Sequence, residues 1–456
     1  MRGSLAQLTA HVEGSSMTAD AVFDSVSTDS RTAKAGALFV ALRGETFDAH
    51  DFLAQVAANG AAAVVAERLP EGWSLPALVV PDTLVALGRI ANSWRRQYAI
   101  PMIGVTGSNG KTTVKEMIAA ILSAAFGLEA RLATQGNLNN EIGVPLTLMR
   151  LEAAHRAAVV ELGMNHPGEI ARLAAIAQPT VALVNNAQRE HQEFMHTVEA
   201  VAQENGSVFA ALPGDGVAVY PGDDTYTGLW QGLAAHCRSL TFGLLDTCDV
   251  RASWTSSGFG NKLKVTAPGA SFEVKLTAAG EHNVRNALAA IACALAAGID
   301  QETIVRGLES FAPVGGRLQR RQAANGATVI DDTYNANPDS MRAAIDVLAA
   351  YPAPRFLVIG DMGEVGTQGR EFTEEIGAYA QARGIETVLA TGELSRHLAS
   401  SGAHYFEQFE ALLAALDKQL GGNSDATVLV KGSRFMKMER VVDHLIGSTN
   451  TGKDAH

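Results

Sequence analysis

Cysteine is scarce in this chain. Cys237, Cys248 and Cys293 are the three present in 456 residues, and no two form a Cys-x-x-Cys pair. Neither a disulfide framework nor a zinc site is indicated, and a reducing, cytoplasmic compartment fits. Long apolar runs are missing too. The longest, Ala287 to Ala297, is too short and alanine-rich to span a bilayer and reads as a packed helix. The N-terminus lacks the apolar core of a secretion signal, so neither export nor a transmembrane segment is expected. Cations are outnumbered: Lys+Arg 36 against Asp+Glu 48 gives a net charge of −12. That argues against nucleic-acid binding, because neutralising phosphates needs surplus cations. Any anionic ligand must meet a local basic pocket. There is no long repeat, low-complexity tract or charge run, no His-Arg-Asp or Asp-Phe-Gly kinase signature, and no Ser-His-Asp order. With 47% hydrophobic and 18% charged residues, the chain can bury an ample core in two to four domains.

What is present centres on residues 101–116. Met102, Ile103 and Val105 read as a buried strand, Thr106-Gly107-Ser108-Asn109-Gly110 as a glycine-punctuated turn, and the residues from Thr112 as a helix through Met117, Ile118, Ile121 and Leu122. Strand, glycine loop, Gly-Lys-Thr and helix is the arrangement that cradles phosphates: loop N–H groups and the positive helix end surround phosphate oxygens. Lys111 is placed to reach the β/γ-phosphates and the Thr112 hydroxyl to ligate Mg²⁺. The strict pattern asks for glycine at position 105, where Val105 stands.

The pattern of elements predicts an α/β protein of three domains. Residues 1–98 form a small N-terminal α/β domain, with strands near Ala37–Leu42, Ala61–Ala66 and Leu78–Val80 and a helix over Leu84–Tyr98. Residues 99–312 form a central mononucleotide-binding P-loop α/β domain. Here Ala157–Gly163 places Glu161 at the tip of an apolar strand, where a carboxylate can hold Mg²⁺. Strand Thr180–Asn185 leads to His191, a second metal ligand or a structural histidine; Phe194–Leu212 reads as a helix, residues 213–280 as β-rich, and Gly280-Glu281-His282-Asn283 as the start of a long helix. Residues 313–456 form a C-terminal Rossmann-like α/β domain, with polar residues at the ends of strands Ala327–Ile330, Phe356–Ile359 and Ala426–Val430.

Six of these motifs together resemble the Mur ligase family: Thr106–Thr113, Glu161-Leu162-Gly163, Gly280–Asn283 with Asn286, Gly316-Arg317, Asp332–Pro338 and Lys431-Gly432-Ser433-Arg434. The resemblance implies an ATP- and Mg²⁺-dependent amide ligase of peptidoglycan precursor synthesis, acting through an acyl phosphate. Tyr334–Pro338 and Thr134–Asn140 are most similar to the branch that joins D-alanyl-D-alanine to UDP-N-acetylmuramoyl-tripeptide; a sister ligase adding one amino acid, such as a folylpolyglutamate synthase, is the alternative. A monomer is expected. Carried over, Lys111, Glu161, His191 and Arg317 are catalytic. Thr106, Gly107, Ser108, Asn109, Gly110, Lys111, Thr112, Thr113, Asn283, Arg317 and Asp332 contact ATP, and Thr112, Glu161 and His191 ligate Mg²⁺. Asp29, Ser30, Arg31, Gly44 and His50 resemble the uridine-nucleotide pocket, and Asn137, Asn139 and Asn140 the muramoyl-peptide contacts. Tyr334, Asn335, Asn337, Lys431, Ser433 and Arg434 fall where the amine substrate is expected. Two positions depart from the pattern. Asn205 stands where the family usually has a carbamylated lysine, with Glu204 the alternative donor to a second metal, and Ala49 replaces a favoured glycine.

Overall fold

The computed structural model describes residues 1–447; positions 448–456, assigned above to the third domain, lie outside the described residues. Beside a two-stranded antiparallel pair, Gly3–Ser4 with Val22–Phe23, three larger open sheets follow one another among the described residues, within residues 16–79, 102–276 and 319–431. The first runs Ser16–Met17, Ala77–Val79, Ala63–Ala66, Ala37–Val40, Ser25–Ser27 and is parallel except at Ser16–Met17. Two of its three inner strands, Ala37–Val40 and Ala63–Ala66, are apolar and buried throughout, as a parallel sheet covered on both sides requires.

The central sheet has nine strands. Met102–Thr106 lies between Val181–Val184 and Ala157–Glu161, all parallel. Beyond Arg238–Gly243 the sheet is extended by the antiparallel strands Gly260–Ala267 and Ala270–Leu276, the β-rich stretch expected from their alternating pattern. Val105 pairs with Glu161 and Leu183 inside this sheet and is fully buried. A glycine there is unnecessary, because the turn begins one residue later. At Gly110, with φ +82°, a Cβ would lie 2.5 Å from Asn286 Oδ1. This position therefore admits only glycine, and from it the helix Lys111–Phe126 departs.

The long helix expected over Phe194–Leu212 is broken into Gln192–Met195, Val198–Gly206 and a 3₁₀ turn at Ser207–Ala211. His196 adopts φ 62°, and Thr197 is extended and caps the next piece through Ala200 N. The periodicity survived the break because Met195, Val201, Ala202, Val208 and Phe209 still share one core.

Helix Thr83–Arg95 ties the first sheet to the second. Its Leu87, Ile90 and Ala91 pack in a single core with Leu148, Leu151, Leu173 and Ala177 of the central region. Buried Arg95 donates to the carbonyls of Ala177 (3.0 Å) and Gln178 (3.1 Å), and Trp94 Nε1 and Tyr98 Oη both donate to Leu151 O. The core is thus continuous across residues 98–99. The third sheet carries its own: Ile330, Leu357, Ile359 and Leu429 face one side, and Val329, Val358, Val428 and Val430 the other, the two-residue period of a strand.

Candidate functional site

A cleft of about 1170 Å³ opens between the phosphate loop of the central sheet and the strand ends of the third sheet. Its floor is the corner built by Met102–Thr106 and Lys111–Phe126. Lys111 Nζ donates to the carbonyls of Gly107 (2.6 Å) and Ser108 (3.1 Å) and to Glu190 Oε1 (2.8 Å). Burial pushes the Glu190 carboxyl up, but Lys111 and His191 pull it further down, so it is held as the anion. The loop itself is fixed by amides. Asn109 N donates to Asn186 Oδ1 (2.9 Å), Asn109 Nδ2 to Gln188 Oε1 (2.6 Å), and Asn185 Nδ2 to Asn109 O (2.8 Å) and Asn286 Oδ1 (2.9 Å).

Beside the loop, Glu161 is 2% exposed at the end of its strand. Its Oε1 accepts from Thr112 Oγ1 (3.2 Å) and Asn139 Nδ2 (2.9 Å), and its Oε2 is buried with no hydrogen-bond partner among the described residues. An ionised buried oxygen without a partner is costly. A hydroxyl and a carboxylate side by side are hard oxygen donors of the kind Mg²⁺ takes alongside phosphate oxygens and water. The residues present therefore fit one Mg²⁺. No cluster of three His, Cys, Asp or Glu side chains suited to a metal occurs among the described residues.

His191 is placed differently. It adopts φ 49° at the start of Gln192–Met195, with Nδ1 2.5 Å from Glu364 Oε2 of the third domain and Nε2 3.4 Å from Glu190 Oε1. Burial of the ring disfavours its charge, but the two carboxylates outweigh this and raise its pKa to about 9. Both ring nitrogens face carboxylates.

Across the cleft, the Arg317 guanidinium lies 4.1 Å over the Tyr334 ring. Lys431 Nζ is held by Asp332 Oδ2 (2.6 Å) and Asn335 O (2.9 Å), and Ser433 Oγ accepts from Gly363 N (2.6 Å). Asn337 caps helix Pro338–Ala349 and its Nδ2 donates to Asn109 Oδ1 (2.9 Å), joining the third domain to the phosphate loop. The cleft lining also brings in Asn137, Asn139, Asn140, Asn283 and Arg434.

Several expected residues lie elsewhere. Thr106 and Gly107 sit beneath the loop, outside the lining: Thr106 Oγ1 donates to Leu183 O (2.9 Å), and Gly107 N to Asn205 Oδ1 (2.9 Å). Asn205 is thus a support of the loop. Glu204 is not a metal donor; its carboxylate accepts from Gly168 N (2.8 Å) and Ile170 N (2.9 Å) and caps a helix start.

A second cavity, about 460 Å³, is lined by Thr28, Asp29, Ser30, Arg31 and the stacked rings of Phe47 and Phe52. Gly44 and His50 do not line it. His50 is a buried tie: Nε2 accepts from Glu67 N (2.8 Å), which leaves the proton on Nδ1, 2.6 Å from Asp48 Oδ1. Arg68 beside Asp48 holds that carboxyl well below the usual range.

Sequence reasoning passed over Asn185, Asn186, Gln188, Glu190 and Glu364. The available signal was the polar stretch from Asn185 to Glu190, interrupted only by Ala187, at a strand's C-terminal end, where His191 alone was singled out.

These features define a class, the three-domain α/β proteins whose nucleotide corner faces a separate strand-end surface across a polar cleft. Family models match almost end to end: the Mur ligase family catalytic domain over residues 22–95, the Mur ligase middle domain over 105–294 and the Mur ligase glutamate ligase domain over 316–434. The chain belongs to the Mur ligase family. It is 40% identical over 443 residues to the UDP-N-acetylmuramoyl-tripeptide–D-alanyl-D-alanine ligase of Escherichia coli K12, covering 96% of this chain and 97% of that one. The fold is similar to that of MurF from Acinetobacter baumannii, with a TM-score of 0.92, 35% identity and coverage of 98% and 99%. It is also similar to MurF ligase from Thermotoga maritima in complex with ADP, with a TM-score of 0.85, 27% identity and coverage of 92% and 97%.

Proposed function

We propose that this chain joins D-alanyl-D-alanine to UDP-N-acetylmuramoyl-tripeptide at the expense of ATP, in peptidoglycan precursor synthesis. The observation that carries the reading is the meeting of Lys111, Thr112 and Glu161 with the third domain's strand ends in one cleft, in a chain that matches ligases of this activity along nearly its whole length.

The tripeptide's terminal carboxylate attacks the γ-phosphorus of ATP, releasing ADP and leaving an acyl phosphate. The amine of D-alanyl-D-alanine adds to that carbonyl, and the tetrahedral intermediate expels phosphate. Carboxylate and triphosphate repel each other, so the first step depends on charge compensation fixed in advance. Lys111 supplies one cation at the transferring phosphoryl group, and the loop N–H groups with the start of Lys111–Phe126 supply aligned dipoles. Thr112 and Glu161 would hold Mg²⁺, which adds a further positive charge beside the phosphates. Asn283 contacts the base and Arg317 and Asp332 the phosphate region. Asn137, Asn139 and Asn140 hold the muramoyl-peptide, and Asp29, Ser30 and Arg31 bind the uridine nucleotide beside the stacked rings of Phe47 and Phe52. Tyr334, Asn335, Asn337 and Arg434 receive the dipeptide, with Lys431 and Ser433 shaping the loops that present them. The three domains, residues 1–98, 99–312 and 313–456, divide the work accordingly. Holding three bodies in line makes the encounter effectively unimolecular, and the overlying third domain keeps water from the acyl phosphate. The enzyme acts as a cytoplasmic monomer, a setting in which three free thiols persist.

The test is phosphate release with ATP, Mg²⁺, UDP-N-acetylmuramoyl-tripeptide and D-alanyl-D-alanine. Release that requires both the tripeptide and the dipeptide supports the reading. Release indifferent to the dipeptide, or supported equally by a single amino acid, rejects it.

A further inference from the structure

Residues 186–191 form a short spine between the phosphate loop and the third domain. Asn186 and Gln188 bind Asn109 of the loop, and Glu190 binds Lys111. In between, Arg189 turns the other way. Its Nε and Nη2 lie 3.1 Å and 2.6 Å from Asp339 Oδ1, its backbone N donates to Asp339 Oδ2 (2.9 Å), and its Nη1 and Nη2 lie 2.6 Å and 3.1 Å from the Glu375 carboxylate. The guanidinium also lies 5.2 Å from the centre of the Phe372 ring. Asp339 sits in the first turn of helix Pro338–Ala349, two residues after Asn337, which is bonded to Asn109.

A lone exposed ion pair contributes little. A planar fork gripped by two carboxylates and an aromatic ring, with 22% of the side chain exposed, is a stronger and more directional contact. Lysine could not reproduce it. The two cores of the third domain lie within that domain apart from Ala279 and Phe259, so polar contacts of this kind carry much of its seating.

We propose that Arg189 is a positioning residue that seats the third domain: by gripping Asp339 and Glu375 it holds the start of helix Pro338–Ala349 against the phosphate loop and so fixes the amine substrate's surface opposite the transferring phosphate. The idea rests on the ligase reading above for its catalytic consequence, and on geometry alone for its structural one.

The experiment compares the full-length wild type with Arg189→Ala, Arg189→Lys, Glu375→Gln and Arg189→Ala/Glu375→Gln. Expected for Arg189→Ala are a kcat lower by about 10- to 100-fold, ATP affinity within about threefold of wild type, and little change in melting temperature. Arg189→Lys should recover only part of the loss. The double variant should lose little more activity than Arg189→Ala alone, because the Arg189–Glu375 contact is already gone and the other bond to Glu375, from Arg342 (3.0 Å), lies within the third domain. X-ray scattering without substrates should show a larger radius of gyration for Arg189→Ala. A kcat within twofold of wild type, additive effects of the two changes, full rescue by lysine, or an ATP affinity that falls as far as kcat would each overturn the proposal. If wild type shows no dipeptide-dependent phosphate release, the ligase reading fails, while the scattering comparison still decides whether Arg189 seats the domain.

Discussion

Glu161 and His191 show how far a single side chain's role depends on what surrounds it. Glu161 has one oxygen shared by Thr112 and Asn139 and another buried without a partner. Glu161→Gln keeps the shape but removes the charge. It should lower kcat by at least about 100-fold and raise the Mg²⁺ concentration needed for half-maximal rate, read from phosphate release across a Mg²⁺ titration. His191 gains its charge from Glu190 and Glu364, and its pKa rises to about 9. A group whose folded pKa exceeds its unfolded value of about 6.5 stabilises the fold fully below that value, and the contribution is lost as pH climbs to 9. The stability difference between wild type and His191→Gln should therefore shrink between about pH 6.5 and 9, starting from at most about 3 kcal/mol, as measured by denaturant unfolding at each pH. Lys111, Thr112 and Glu161 were legible from motif and strand-end position. Glu190 and Gln188 were not, because their partners are some 79 residues away in sequence and only the folded sheet brings them together. His50 and Glu204 misled for the same reason: what decides their role is a backbone N–H from another element.

At the scale of elements, runs and periods located the strands and most helices to within a few residues, and the break at His196–Thr197 escaped because hydrophobic spacing continues through it. The use made of helix Thr83–Arg95 also escaped. Its amphipathic pattern says that one face is buried but not against which sheet. Arg95 supplies the answer, since burial in that seam lowers its pKa and its guanidinium is spent on carbonyls of the central region. Arg95→Met would leave those carbonyls without donors and should cost about 2–4 kcal/mol of stability, seen as a lower denaturation midpoint, with the ATP KM nearly unchanged.

In the whole molecule the three sheets are not equivalent partners. The first two are joined by one apolar core, whereas the third meets them mainly through Asn337, Arg189 and His191 across a polar cleft. Scanning calorimetry should resolve two transitions, one for residues 1–312 and one for the third domain. Adding ADP with Mg²⁺ should raise both and draw them together, since a ligand held by both bodies stabilises each; a single transition at every ligand concentration would contradict this. Three α/β units were readable from sequence, because each announces its own strands. Which neighbours are fused and which merely touch was not, since apolar residues on a helix carry no address.

The continuous core at residues 98–99 also bears on how such genes can recombine. A crossover near residue 313 exchanges a body that brings its own interior, so chimaeras with a distant relative's final third should accumulate as folded protein. A junction near residue 99 would pair Leu87, Ile90 and Ala91 with a foreign counterpart, and those hybrids should be lost to aggregation.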